Sequence, residues 1–301
     1  VKENPQTISL VLGSGGARGL THIGIIEVLT EHGFEIKSIA GSSMGALIGG
    51  IYATGKLDIY RDWVLEIEKL DVIRMLDFSF GRTGLLKGER IINTLKELIG
   101  EADIESLPIS FTAVATDIES EKEIWLNSGS LFDAIRASIS IPTIYTPFDY
   151  HGIRLVDGGL INPVPIAPTL NDMTDMTVAV NLSARADSKY DKKRKPSVTP
   201  PHNNRYRQAI SEFLDGIQKK FDSGDQRRLD MFNIITQSID VMQNSVARMK
   251  LAASAPDLVI DVPRNVSTFY EFYRAAELIE IGRHQAKRAL MHAELIKSKV
   301  P

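Results

Sequence analysis

The stretch LVLGSGGARGLTHIGIIEVL (Leu10–Leu29) decides the fold: an apolar run breaks into four glycines within seven residues, then resumes as an apolar stripe. Thr7–Leu12 is short, continuous and rich in branched residues, and it ends at a glycine, which reads as a strand buried on both faces. From Arg18 to Glu31, Leu20, Ile23, Ile26 and Leu29 recur at helical spacing with Gly24 between them, so the strand feeds a helix. Such a turn presents backbone amides at a helix start, where an anion is expected. Two kinds of anion suit it: the stable phosphate of a nucleotide or the short-lived oxyanion of a reaction.

FEIKSIAGSSMGALIGGIYATG repeats the plan, with a strand to about Ala40, a sharp glycine turn, a helix to about Thr54 and Gly55 as its stop. Two strand–turn–helix units in succession predict an α/β fold with a parallel sheet and right-handed crossovers. Lys56 to Gly100 carries two or three amphipathic helices and no strand, a helical cover at about 56–100. PISFTAVATDIES and EKEIWLN read as strands, a helix follows from about Ser130 to Ser138, and DMTVAVNLS is one further buried strand. The polar, proline-bearing run at about 184–206 reads as a mobile loop, followed by a C-terminal helical region at about 206–297. Within that region DLVIDV has the apolar character of a sheet member, so the chain is expected to return to the same sheet as one domain with a loop insertion. Met231, Phe232, Ile235, Ile239 and Met242 are expected to pack in the core, with a partner or bilayer face as the alternative.

Composition narrows the function. With 35 Lys+Arg against 38 Asp+Glu, the net charge of −3 provides no basic field for nucleic acid. Zero cysteines exclude a thiolate nucleophile and cysteine zinc sites, and fit a reducing, cytoplasmic setting. The apolar core of VKENPQTISLVLGSGG is too short for a signal sequence. No stretch approaches the roughly 18 apolar residues of a spanning helix, so contact with a bilayer is expected to be peripheral at most.

GSSMG (Gly41–Gly45) fits G-x-S-x-G with Ser43 at its centre, placed where a strand ends and a helix begins, as a nucleophile elbow requires. The alternative is a glycine-rich N-cap whose serine bonds the free helix amides. A serine nucleophile for acyl transfer needs amide donors aimed at the oxyanion, and Gly13, Gly15 and Gly16 of GSGGARG can supply them. Ser43 follows Gly15 by 28 residues, one helix and one strand, so both turns should open on the same sheet edge. A dinucleotide fingerprint is not met, because the third glycine falls one residue late at Gly19, and a Walker lysine is missing. None of the six histidines, His22, His32, His151, His202, His284 and His292, has a motif around it. In LVDGGL, Asp157 ends an apolar run and is followed by two glycines, which presents a carboxylate at a strand end. It reads either as a base, given burial enough to raise its pKa, or as an ordinary Asp-Gly turn.

LGSGGARGLTHIGIIEVL, AGSSMGALIGGIYATG and ASISIPTIYTPFDYHGIRLVDGGLINPVPI together resemble the patatin-like phospholipase family, above all its bacterial members and the esterase domain of neuropathy target esterase. The resemblance covers roughly Ile8 to Leu182 and implies a three-layer α/β/α patatin-like fold with a central, mostly parallel sheet. It implies a phospholipid or lysophospholipid ester as substrate and a Ser43–Asp157 dyad without histidine. It further implies an oxyanion hole at Gly15 and Gly16, and no metal or organic cofactor. One departure is Ser14, which stands where the family's glycine-rich loop has its first glycine. Arg18 matches the family's basic position and would hold either a lipid phosphate or the loop itself. DKKRK (Asp191–Lys195) is a candidate for contact with anionic headgroups, the alternative being a solvated loop. A catalytically weak relative that binds lipids or proteins for regulation is the second expectation from the same resemblance.

Overall fold

The computed structural model describes residues 6–67, 87–142, 144–191 and 226–297. Its centre is an eight-stranded sheet, flanked by helices in three layers. β1 (Thr7–Leu12) lies in the middle, pairing in parallel with β2 (Glu35–Ser42) on one side and β7 (Met176–Ala184) on the other. β3 (Ser110–Asp117) pairs in parallel with β2, and β8 (Leu258–Pro263) with β7, so DLVIDV does return to the same sheet. Ile8, Leu10, Val11 and Leu12 are fully buried, as a strand covered on both faces demands.

The sheet departs from all-parallel at one end. β4 (Lys122–Leu126) and β6 (Ile153–Asp157) run antiparallel to β3, and β5 (Phe148–Tyr150) pairs antiparallel with β6. β4 and β6 both bond Ala115–Asp117 and therefore occupy opposite edges of β3. β4 and β2 both bond Ala113 and Val114, so β2 shares its edge of β3 with β6. Along that edge β2 ends opposite Val114 and β6 ends opposite Ala115.

α1 (Thr21–Glu31) follows a 3-10 turn at Gly16–Leu20 and is buried on more than one face, with Ile25 and Val28 as inaccessible as Ile23 and Ile26. Its second cover is α8 (Ala275–Lys297). The two helices meet backbone to backbone: a Cβ on Gly24 would lie 2.0 Å from the Ile279 carbonyl oxygen, and one on Gly282 would lie 2.0 Å from that of Thr21. Arg283 adds ion pairs to Glu27 and Glu31 at 2.5 and 2.6 Å across the rim of this crossing. α2 (Met44–Ala53) begins at the end of β2, followed by α3 (Leu57–Glu66) and α4 (Glu89–Ile99), the described parts of the helical cover. Residues 68–86 of that cover lie outside the described residues. α5 (Leu131–Ser138) starts on a Ser130 cap, whose hydroxyl accepts from the Asp133 amide.

The described residues fall into two compact units, one holding the sheet (residues up to 187 and from 243) and one spanning residues 188–242. The second contains α6 (Ser188–Asp191) and the first part of α7 (Gln226–Ser254). The 192–206 part of the polar run, with His202 and Lys192–Lys195, lies outside the described residues, as does 206–225. Core packing does not hold for Ile235 and Met242, which are 40% and 55% exposed. α7 instead reaches the core through Ala247 and Leu251, which join Val11, Val164, Ile166 and Ala179, so its buried contact lies near its C-terminal end. The side chains of Met231 and Phe232 lie outside the described residues. No described helix is long and apolar enough to cross a membrane.

Candidate active site

The glycine loop is held at several points and left open at two. Beyond β1, the Gly13 amide donates to the Val180 carbonyl (3.2 Å) and the Ser14 amide to the Pro163 carbonyl (2.9 Å). The Gly13 carbonyl accepts from His22 Nε2 at 2.9 Å, which fixes the tautomer because a carbonyl can only accept. Complete burial outweighs this bond and depresses the His22 pKa to about 4, so the ring is neutral at pH 7. Gly16 takes φ +54 and has the Phe269 ring against its α-carbon, where a Cβ would lie 2.4 Å from the ring, so only glycine fits. The Ala17 amide bonds the Phe269 carbonyl at 3.0 Å. Arg18 folds back over the loop, donating from Nη1 to the Arg264 carbonyl at 3.0 Å. Among the described residues, the Gly15 and Gly16 N–H groups have no hydrogen-bond partner. Two adjacent donors thus remain for a ligand atom.

Ser43 sits between β2 and α2 at φ 56, ψ −122, a conformation that L residues avoid and that needs support from its surroundings. Its side chain makes no cap bond, so the N-cap reading of this serine does not hold. The motif glycines permit the turn by close approach: a Cβ on Gly45 would stand 2.0 Å from the Leu12 carbonyl oxygen, and one on Gly41 would stand 2.4 Å from that of Gly45. The Ser43 carbonyl starts α2 by accepting from the Ala46 and Leu47 amides. Its own amide donates to the Ser138 hydroxyl at 2.9 Å. The Met44 amide, first of α2, has no partner among the described residues and lies next to the serine.

Asp157 closes β6. Because Ser42 pairs with Val114 and Asp157 with Ala115 on the same edge of β3, the sheet register brings the two motifs together from 115 residues apart. Gly158 seals the junction, since a Cβ there would be 2.0 Å from the Val114 carbonyl oxygen and 2.8 Å from Ser42 Oγ. Ser14 of the glycine loop reaches the same turn, with its Oγ 2.6 Å from where a Gly159 Cβ would be. The carboxylate is 2% exposed. Its Oδ1 accepts from the Gly159 amide at 2.7 Å, as in an ordinary Asp-Gly turn, but Oδ2 is buried and completes no hydrogen bond of ordinary geometry. Burial raises the Asp157 pKa from 3.8 to about 7, against the opposing pull of the nearby Ser43 hydroxyl and the Gly159 amide. A carboxyl poised there suits proton transfer near neutral pH.

Serine hydroxyl, raised-pKa carboxyl and open amides therefore gather where the central strands end. His32, His151, His284 and His292 are exposed, and no described histidine bonds Ser43 or Asp157. Among the described residues no three His, Asp or Glu side chains cluster to hold a metal ion. Sequence reasoning missed Ser138, the Met44 amide and the clamp formed by His22. The Met44 amide alone had a signal, its place directly after the serine of G-x-S-x-G.

A family profile described as patatin-like phospholipase matches residues 10–170. An uncharacterized NTE family protein of Mycobacterium tuberculosis is 34% identical over 333 aligned positions, covering 96% of this chain and 92% of its own length. Neuropathy target esterase sws of Drosophila melanogaster is 29% identical over 192 positions, which cover 61% of this chain and 13% of that protein. VipD from Legionella pneumophila, a solved structure, aligns with a TM-score of 0.45 at 13% identity over 97% of this chain and 67% of its own. The profile runs from within β1 past the Asp-Gly-Gly turn, and a relative matches nearly from end to end: the chain belongs to the patatin-like phospholipase family, whose chemistry is lipid ester hydrolysis.

Proposed function

We propose that the protein is a serine acyl hydrolase of phospholipid or lysophospholipid esters, with Ser43 as nucleophile and Asp157 as its base. The observation that carries the reading is the register on β3, which sets Ser42 and Asp157 opposite consecutive residues while burial lifts the carboxyl to about 7. Ionised Asp157 takes the Ser43 proton as Oγ attacks the ester carbonyl, and the resulting oxyanion is received by the Gly15 and Gly16 amides. The Met44 amide, at the start of α2, is placed to add a third donor. Collapse breaks the ester C–O bond, and the leaving alcohol takes the proton back from Asp157. Water then attacks the acyl-serine, giving its proton to Asp157, and fatty acid leaves as Ser43 recovers its hydrogen. Arg18 serves this chemistry by holding the loop. Its tie to Arg264 occupies one of its donors, which favours that role over holding a lipid phosphate.

Hydrolysis of a short-chain p-nitrophenyl ester and of lysophosphatidylcholine, with Ser43→Ala and Asp157→Asn beside the wild type, tests the reading. Turnover of both esters, lost in either variant, is the expected result. Vesicle binding without turnover would replace the enzyme by a lipid-binding regulator, and turnover that survives Ser43→Ala would end the proposal.

A further inference from the structure

Ser43 is held in its left-handed conformation although such a backbone costs roughly 1–3 kcal/mol. Most of what holds it is local, from the Gly41 and Gly45 approaches to the first turn of α2. One restraint comes from elsewhere. Where β2 turns away and β6 takes over its edge, the Val114 carbonyl is met by the Ser138 hydroxyl, which donates to it at 2.6 Å and accepts the Ser43 amide at 2.9 Å. A buried side chain at the end of α5 thereby bridges the amide of Ser43 to the strand β3. Two residues later the Ser140 carbonyl accepts the Asp157 amide at 3.0 Å. The same short segment therefore grips the backbone of both residues. It is itself anchored by Arg136, whose Nη1 donates to Ser140 Oγ at 2.5 Å and whose Nη2 bonds the Lys87 and Thr146 carbonyls.

We propose that Ser138 is a positioning residue for the reaction: its hydroxyl ties the Ser43 amide to β3 and so sets the nucleophile at its working distance from Asp157. The proposal rests on Ser43 being the nucleophile. Ser138 touches neither substrate nor the reacting oxygen, and it acts through the elbow backbone. Loosening that tie lets the Ser43 side chain drift from Asp157. Drift slows attack, and it also removes a hydroxyl that draws the Asp157 pKa down, so the acid limb of the rate profile should move to higher pH.

Ser138→Ala removes the bridge, and Ser138→Cys fills the site with a group that bonds weakly. For both, the rate of Ser43 labelling by a fluorophosphonate and the pH profile of kcat/KM on p-nitrophenyl butyrate are measured per folded molecule. Expected are kcat lower by about 10- to 100-fold in Ser138→Ala and by less in Ser138→Cys, with KM unchanged. Labelling should slow in parallel and the acid limb should rise. Wild-type labelling rate and acid limb in the folded fraction of either variant would overturn the proposal, even where much of the Ala variant fails to fold. A wild type that does not label at Ser43 would instead refute the parent reading.

Discussion

Replacing Asp157 by Asn should stabilise the fold at neutral and alkaline pH while abolishing turnover. Asp157 is buried, and its carboxyl titrates at about 7 in the native state against 3.8 as the ordinary value. The native state therefore holds a proton that the unfolded chain has lost between those pH values. Stability falls as pH rises through that window and stays reduced above it. At about 1.4 kcal/mol per pKa unit, the ionised carboxylate costs the native state roughly 4 kcal/mol above pH 7 and nothing below pH 3.8. Asn is uncharged throughout, and its carbonyl can still accept from the Gly159 amide. Urea unfolding of wild type and variant across this range gives the difference directly, which matters because other groups titrate as well. His22 acts in the opposite sense: its depressed pKa takes stability away as pH falls from 6.5 toward 4. The gain of Asp157→Asn over wild type should grow by roughly 4 kcal/mol between pH 4 and pH 8. A difference that stays flat with pH would refute the claim that burial holds this carboxyl protonated, and with it the case for Asp157 as a neutral-pH base.

Three further outcomes follow from the same geometry. Gly45→Ala places a methyl 2.0 Å from the Leu12 carbonyl oxygen, a backbone atom that cannot step aside, so denaturant titration should show a loss of about 3 kcal/mol; unchanged stability would contradict the close approach. Ser43→Gly removes both the hydroxyl and the strained φ of 56, and should unfold at higher urea concentration, by roughly 1 kcal/mol, with no esterase activity. His22→Gln should lose the roughly 3 kcal/mol weakening that the wild type shows between pH 6.5 and 4, because its side chain takes up no proton in that range; equal acid sensitivity in both proteins would argue against a buried, neutral His22.

The two strand–turn–helix units were legible because burial on both faces demands continuous apolar runs and the tight turns demand glycine, and β1, β2 and α2 lie where those signals put them. Gly24 looked like a gap in a stripe, but its role depends on α8, over 250 residues away, whose Ile279 carbonyl oxygen lies 2.0 Å from where a Gly24 Cβ would be. The antiparallel end was legible only in part: EKEIWLN and the run ending at Asp157 read as strands, but their antiparallel pairing had no local signal, since β5 has three residues and β6 five, too few for a period to declare itself. Ser43 and Asp157 could be nominated from local motifs. Their proximity depends on the β3 register, which local sequence does not encode. Ser138 had no signal at all, since a serine near a helix end is common and its partner Ser43 is 95 residues distant. The exposed Ile235 and Met242 mark a limit of the apolar-stripe argument, because spacing defines a face without saying what, if anything, covers it.

The central claim is that one strained serine acts as an acyl nucleophile with a buried carboxyl as its base. Fluorophosphonate labelling of the intact protein, with the adduct located by peptide mass spectrometry, tests it most directly. A single phosphonyl group on the peptide containing Ser43, forming faster as pH rises through about 7 and almost absent in Asp157→Asn, is the predicted result. An adduct on another residue, or labelling of Ser43 that is indifferent to Asp157, would contradict it.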